Sequence, residues 1–303
     1  MTSILGLDLG GTNIKLARVD VVADADPRIV ETAVHPTPEG GSPEIVVARL
    51  AELASGEHGR PIALGVGIPG QFDQTTGVIR ALPNLAGSWS GFPLRRALEE
   101  QTGLSVTLLN DTQGFTLAES RLGAARGATS VVGVALGTGI GGGIWRNGSL
   151  NPGVHGTAGE IGHQVIVPDS PTVCSCGNRG CLESVAKAAV LAERAGRDST
   201  EEVFAAAADG DERALAAIAT VTDFIGIGLA NVLTIIDPEI LVIGGGVADA
   251  GDALLDPIRA AVARHLCVVP VEDVRIVRGS LGTTAGAVGA ALAVHEDLAA
   301  SRA

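Results

Sequence analysis

Two hydrophobic periods alternate along the chain. Short β-branched or Leu-rich runs occur at "SILGLDLG" (3–10), "NIKLARVDVV" (13–22), "PIALGVGIP" (61–69), "SVTLLND" (105–111), "SVVGVALG" (130–137), "IGGGIW" (140–145), "EILVIGGG" (239–246) and "DVRIVRG" (273–279). Runs of this length and composition predict strands. A helical period holds over 42–56, 93–103, 181–196, 201–234, 253–266 and 283–298. The first of these opens with Ser42 as N-cap, Pro43 at the first helical position and Glu44 in the first turn, three ordinary helix-start signals. Strands and helices mix throughout, which predicts an α/β protein. At 303 residues the chain is long enough for two domains.

One pattern occurs twice. "GLDLGGTNIKL" (6–16) and "GVALGTGIGGGI" (133–144) both read as an apolar strand, a Gly/Thr turn and a second apolar strand. Two such hairpins, one per half, predict two related lobes with a cleft between them. The second hairpin continues into Asn147-Gly148, a strong two-residue turn signal.

These tips carry the first candidate chemistry. Glycines let backbone N–H groups approach an anion closely and form a concave phosphate nest. In the first tip Asp8 precedes Gly10, Gly11 and Thr12. A carboxylate there can hold Mg²⁺ while amides and a hydroxyl meet phosphate oxygens. In the second tip Ala135 replaces the carboxylate, leaving phosphate contact at Gly137, Thr138 and Gly139. Taken singly, either tip reads first as an ordinary tight turn. The strand ending in Gly244, Gly245 and Gly246 leaves a low surface where an adenine or ribose could lie, or it is a plain strand-to-helix turn. "LLND" ends a strand in Asn110-Asp111. Asp111 there can accept a hydroxyl proton, although taken alone the pair reads first as a turn or helix N-cap.

A histidine and three of the four cysteines fall between residues 163 and 181: His163, Cys174, Cys176 and Cys181. A disulfide would strand the third thiol. Three thiolates and an imidazole make a full tetrahedral set for structural zinc, with no position open for catalysis. Reduced core cysteines or a redox pair are the alternatives. A zinc ion would pin the segment between Glu160 and Glu183, whose carboxylates suit sugar hydroxyls. Solvent exposure, or for Glu183 the first turn of the following helix, remains open. Cys267 stands apart and is expected to be buried and inert.

Charge and composition narrow the class. With 34 acidic against 21 basic residues the net charge is -13, which argues against a nucleic-acid surface. The start of the chain lacks a basic, apolar leader pattern, and "FIGIGLANVLTII" (224–236) is short for a membrane span. Four cysteines in this length are no disulfide scaffold. A soluble cytoplasmic protein with no nucleic-acid and no membrane partner is expected.

"LDLGGTNIKLARVD", "GIPGQFDQTTGVI", "LPNLAGSW", "LLNDTQGFTLAE", "LGTGIGGGIWRNGSLNPGVHGTAGEIGH" and "CSCGNRGCLE" resemble, in order, the signature blocks of the ROK family of bacterial sugar kinases and sugar-responsive repressors. The resemblance implies the two-lobed actin-like (hexokinase/Hsp70-type, ribonuclease H-like) fold with an interlobe cleft. The small lobe is expected at 1–112 plus 289–303 and the large lobe, with a zinc-binding loop, at 113–288. It implies an ATP-dependent kinase for the 6-hydroxyl of glucose, with Asp111 as catalytic base. Gly70, Asn84, Asn110, Glu160, His163 and Glu183 are expected to contact the sugar. Asp8, Gly10, Gly11, Thr12, Thr138, Gly139, Gly245 and Gly246 are expected around Mg²⁺ and ATP. His163, Cys174, Cys176 and Cys181 are expected to bind Zn²⁺. A homodimer is also implied. Mannose, fructose, N-acetylmannosamine or N-acetylglucosamine as substrate, polyphosphate as donor, or a non-catalytic sugar sensor are the alternatives. Repressors of the family carry a helix-turn-helix ahead of the first block, which here begins at residue 8, so an enzyme is expected. Thr112, Gln113 and Phe115 stand where small residues are common in the family.

Overall fold

The structure, a computed structural model, describes residues 2–22, 25–55, 61–83 and 85–300. The chain begins with β1 (Thr2–Leu9), β2 (Asn13–Val21), β3 (Arg28–Pro36), α1 (Pro43–Ala54), β4 (Ala63–Ile68), the short pair β5 (Gln71–Phe72) and β6 (Ile79–Ala81), α2 (Leu94–Thr102), β7 (Ser105–Asn110) and α3 (Asp111–Arg121). It continues with β8 (Ser130–Leu136), β9 (Ile140–Arg146), β10 (Ser149–Leu150), α4 (Leu182–Ala186), α5 (Ala188–Ala195), α6 (Thr200–Ala208), α7 (Glu212–Ile236), β11 (Ile240–Gly244), α8 (Asp252–His265), β12 (Ile276–Arg278) and α9 (Ala285–Ala300). Packing divides these into two units. The first comprises Met1–Leu122, Leu150–Ala158 and Thr283–Ala303; the second comprises Gly123–Ser149 and Gly159–Gly282.

Each unit is built on a five-stranded sheet, and the two sheets share one topology. The first runs β3-β2-β1-β4-β7 and the second β10-β9-β8-β11-β12. In the first, β2 is antiparallel to β1 and β3, while β1, β4 and β7 are parallel. In the second, β9 is antiparallel to β8, and β8, β11 and β12 are parallel. The echo in the sequence therefore marks equivalent hairpins, β1–β2 and β8–β9.

The first core is aliphatic: Leu5, Leu7, Leu9, Leu64, Val66 and Ile68 from the sheet meet Val46, Leu50, Leu94 and Leu98 of α1 and α2. The opposite face is covered by α9, whose small residues let it lie against the strands. A Cβ at Gly6 would come within 1.9 Å of the Ala287 carbonyl oxygen, and one at Gly65 within 1.8 Å of that of Ala290. The second core gathers Val132, Val134, Leu241 and Ile243 with Val221, Ile225 and Leu229 of α7 and Leu254, Ile258 and Val262 of α8.

Two expected helices are broken. The run 201–234 splits at Asp209-Gly210-Asp211, because the Asp211 side chain caps α7 by accepting from the Ala214 N–H at 2.9 Å. The run 181–196 breaks at Lys187, which is extended. The apolar run at 224–236 belongs to α7, which has 25 residues. By length and composition α7 could cross a membrane, yet 56% of its most apolar window is buried within the protein. Strand β3 and the β5–β6 pair were not expected from the sequence. β3 lies at a sheet edge with a half-exposed alternation, so its apolar signal is diluted by polar neighbours.

Candidate functional site

In the first unit, the parallel register gathers the chemistry at the C-terminal ends of β1, β4 and β7. Asp8 pairs with Gly67 and Ile68 with Asn110. Gly67 is flanked by both acids: a Cβ there would lie 3.6 Å from Asp8 Oδ1 and 3.6 Å from the Asp111 Cα. Asp8 is buried, and its Oδ2 accepts from Lys15 Nζ at 3.0 Å across the β1–β2 hairpin. Lys15 was not singled out in the sequence, although counting back across the turn makes it the partner of Asp8. Gly286 of α9 is needed beside this carboxylate, since a Cβ would come within 2.9 Å of Asp8 Oδ2.

Asn110 caps α3. Its Oδ1 accepts from the Thr112 and Gln113 N–H groups at 3.0 and 3.2 Å and from Thr112 Oγ1 at 2.6 Å. The capping alternative thus holds for Asn110 while Asp111 occupies the first turn of α3, where the helix dipole favours its negative charge. Asp111 Oδ1 accepts from the Thr112 N–H at 2.8 Å. Gly70 leaves room for the β5–β6 pair, as a Cβ would meet the Ala81 carbonyl oxygen at 2.2 Å. At the first tip the Gly10 N–H donates to the Asn13 carbonyl at 2.9 Å and Thr37 Oγ1 donates to the Gly10 carbonyl at 2.7 Å. Gly11 and Thr12 remain exposed. Asn84 lies outside the described residues.

In the second unit, β8 and β11 run parallel with Gly244 opposite Ala135, so the 137–139 tip and the 244–246 glycines emerge side by side. Gly245 has φ +84°, and a Cβ would lie 2.3 Å from the Leu136 carbonyl oxygen. Gly246 faces open space and Thr138 is exposed.

The ligand atoms of His163, Cys174, Cys176 and Cys181 lie within 4.8 Å of one another. Local backbone bonds fold the segment this way. The Cys174 N–H donates to the Asn178 carbonyl at 2.8 Å, and the Gly177 N–H donates to the Cys174 carbonyl at 2.9 Å. Gly180, at φ +70°, has room for no Cβ against the Val167 carbonyl. Cys176 and Cys181 sulfurs are 3.7 Å apart, and Cys174 Sγ is 3.5 Å from His163 Nδ1. Tetrahedral zinc with bonds of about 2.3 Å to sulfur and about 2.0 Å to nitrogen needs edges of roughly 3.8 and 3.5 Å. The donor set fits that ion. Burial raises the Cys181 thiol pKa to about 12, while the Asn178 backbone N–H lowers that of Cys176. Cys267, expected in the core, is exposed; it follows the end of α8, where the chain leaves the helix for the surface.

The other ring nitrogen, His163 Nε2, is 3.8 Å from Glu160 Oε2. Burial raises the Glu160 pKa; nearby Glu183 adds to this and His163 opposes it. Glu183 sits in the first turn of α4 with both oxygens engaged: Oε2 accepts from the Ile140 N–H at 3.0 Å and Oε1 from Ser175 Oγ at 3.1 Å. Gly139 permits this approach, since a Cβ there would come within 2.5 Å of Glu183 Oε2. Glu183 therefore ties the cysteine segment to the second glycine tip. Ser175, between two of the cysteines, is a contributor the sequence gave no reason to select.

A duplicated five-stranded α/β unit with paired glycine tips is the architecture of the two-lobed actin-like proteins. Within that class, residues 4–297 match the model of the ROK family, and the chain belongs to it. It is similar to the glucokinase of Thermotoga maritima, at 34% identity over 97% of each chain. Among solved structures it resembles the ROK hexokinase of Thermus thermophilus, with a TM-score of 0.82, 37% identity and coverage of 98% of this chain and 99% of that one. It also resembles a ROK family glucokinase from Streptomyces griseus, solved in complex with glucose and AMPPNP, with a TM-score of 0.83, 31% identity and coverage of 96% and 98%.

Proposed function

We propose that this chain is an ATP-dependent hexose kinase that phosphorylates the 6-hydroxyl of glucose, with Asp111 as general base. The observation that carries the reading is the placement of Asp8, on β1, and Asp111, just after β7, on either side of Gly67 on the intervening parallel strand β4. One carboxylate serves the donor and the other the acceptor. Asp111 takes the proton from the hydroxyl as its oxygen attacks the γ-phosphorus, and the leaving group is ADP. Asn110, whose Oδ1 is committed to the cap, has its amide N–H groups to offer a sugar oxygen. The enzyme has little covalent work to do, and orientation dominates.

Asp8 would hold Mg²⁺, directly or through water, beside the amides of Gly10 and Gly11; the bound ion neutralises charge on the transferred phosphoryl group. Thr138, Gly139, Gly245 and Gly246 would supply nucleotide contacts. His163, Cys174, Cys176 and Cys181 would hold a structural zinc that fixes the segment carrying Glu160 and Glu183. The protein would work in the cytoplasm as a homodimer.

The test is a coupled ADP-release assay across glucose, mannose, fructose, N-acetylglucosamine and N-acetylmannosamine, with zinc content measured on the same sample. Glucose is expected to give the highest kcat/KM. No turnover on any sugar would refute the kinase reading and favour a sugar-sensing protein, while a different preferred sugar would correct the substrate alone.

A further inference from the structure

Gln113 is a buried polar side chain that the chemistry above does not use. It is 5% exposed and lies two residues after Asp111 on the first turns of α3. Its Nε2 donates to the Gly156 carbonyl at 3.3 Å and to the Ala158 carbonyl at 3.4 Å. Both amide hydrogens are thereby spent on one loop. That loop is otherwise held from within, by the Ala158 N–H on the Pro152 carbonyl at 3.0 Å and the Gly153 N–H on Asn151 Oδ1 at 3.1 Å. Gly156 sits at φ +75°, with a Cβ position only 2.6 Å from Gln74 Nε2. Gln113 is thus the brace between the helix that presents Asp111 and the 153–158 loop.

The braced loop has a destination. His155, Gly156 and Thr157 line one small cavity of the first unit together with Gly70 and Asn110. Gly70 and Asn110 are sugar contacts in the reading above, on which this inference rests. We infer that His155 and Thr157 form a further wall of the sugar site, and that Gln113 is the positioning residue that sets the distance of this wall from Asn110 and Asp111. An imidazole and a hydroxyl offer directional hydrogen bonds to a sugar ring. A site that hydrogen-bonds a hydroxyl discriminates strongly against a sugar lacking or replacing it, because its own polar groups are then left unpaired. Position 113 would therefore tune sugar choice rather than phosphoryl transfer.

Isothermal titration of glucose and N-acetylglucosamine, without nucleotide, tests this in the full chain. The unaltered protein should bind glucose; no binding there would overturn the sugar-kinase reading and this inference with it. Gln113→Met keeps the side-chain volume and removes both donors. It should weaken glucose about tenfold, change the glucose to N-acetylglucosamine affinity ratio at least threefold, and leave ADP affinity within twofold. Thr157→Val, on the exposed loop, should fold normally and weaken glucose about fivefold to tenfold. If Thr157→Val and His155→Ala both leave glucose affinity and the ratio unchanged, the wall does not exist. If Gln113→Met lowers only the melting temperature, Gln113 merely fills the core.

Discussion

Gly289→Ala pits two known effects against each other on α9, the helix that backs β1 and β4. Gly289 lies within α9, where alanine is favoured over glycine by about 1 kcal/mol. Propensity alone therefore predicts a more stable protein. Packing predicts the reverse. A Cβ at 289 would sit 1.8 Å from the Gly114 carbonyl oxygen and 2.4 Å from its carbon. Those atoms are the backbone of α3, so no rotamer change relieves the contact. Even a tight Cβ contact of 3.0 Å requires the helices to separate by about 1.2 Å. Gaps of roughly 0.5–1 Å already forfeit a quarter to a half of each dispersion contact along an interface. Overpacking of this kind costs about 1–3 kcal/mol, and a backbone clash belongs at the upper end. Subtracting the propensity gain leaves a net loss of about 2 kcal/mol. At roughly 2–4 °C per kcal/mol, the melting temperature should fall by about 4–8 °C. Because α3 begins with Asp111, kcat should fall as well. Thermal unfolding followed by circular dichroism reads the first effect and the coupled assay the second. A variant more stable than the parent would show that α9 and α3 are not in the close contact described, and the reasoning from Gly6, Gly65 and Gly286 would fall with it.

Asp111→Ala should fold, as the cap on α3 is supplied by Asn110, and lose at least about a hundredfold in kcat; near-normal turnover would remove Asp111 as the base. Cys176→Ser, or dialysis against a strong chelator, should release one zinc per chain by atomic absorption and raise the KM for sugar several-fold. A metal-free protein with unchanged sugar affinity would mean that the loop does not organise the site. Asp73 accepts from the Thr76 N–H at 2.9 Å and Thr76 Oγ1 at 3.0 Å, and pairs with Arg80, which together hold its pKa near 2 instead of 3.8. A depressed carboxylate stabilises the fold above its unfolded pKa and loses that contribution as pH falls through the folded value. Asp73→Asn should therefore be less stable than the parent at pH 7, with the difference closing between about pH 4 and pH 2; a difference independent of pH would exclude the ionised turn as its cause.

The sequence by itself determined the strand and helix order over most of the chain, the doubled glycine hairpin and the grouping of His163 with three cysteines. Each is written in local chemistry: period-two and period-3.6 burial, glycine where a turn must be bare, and three thiols with an imidazole within 19 residues, from 163 to 181. Asn110-Asp111 was legible as a strand end, but capping and catalysis compete for the same residue types, and only the folded chain assigned the cap to Asn110. The edge strand β3 escaped because an edge carries half the burial signal of a central strand. The pairing of Lys15 with Asp8 follows from the hairpin register, whereas tertiary structure alone decided the bridge from Ser175 through Glu183 to Ile140 and the brace from Gln113 to the 156–158 backbone. It also placed Cys267 at the surface. The bridge and the brace join residues up to 45 positions apart, and nothing in a residue's own neighbourhood encodes a partner that far away. The parallel register that sets Asp8 and Asp111 on either side of Gly67 is a property of the sheet, fixed only when three strands distant in sequence align.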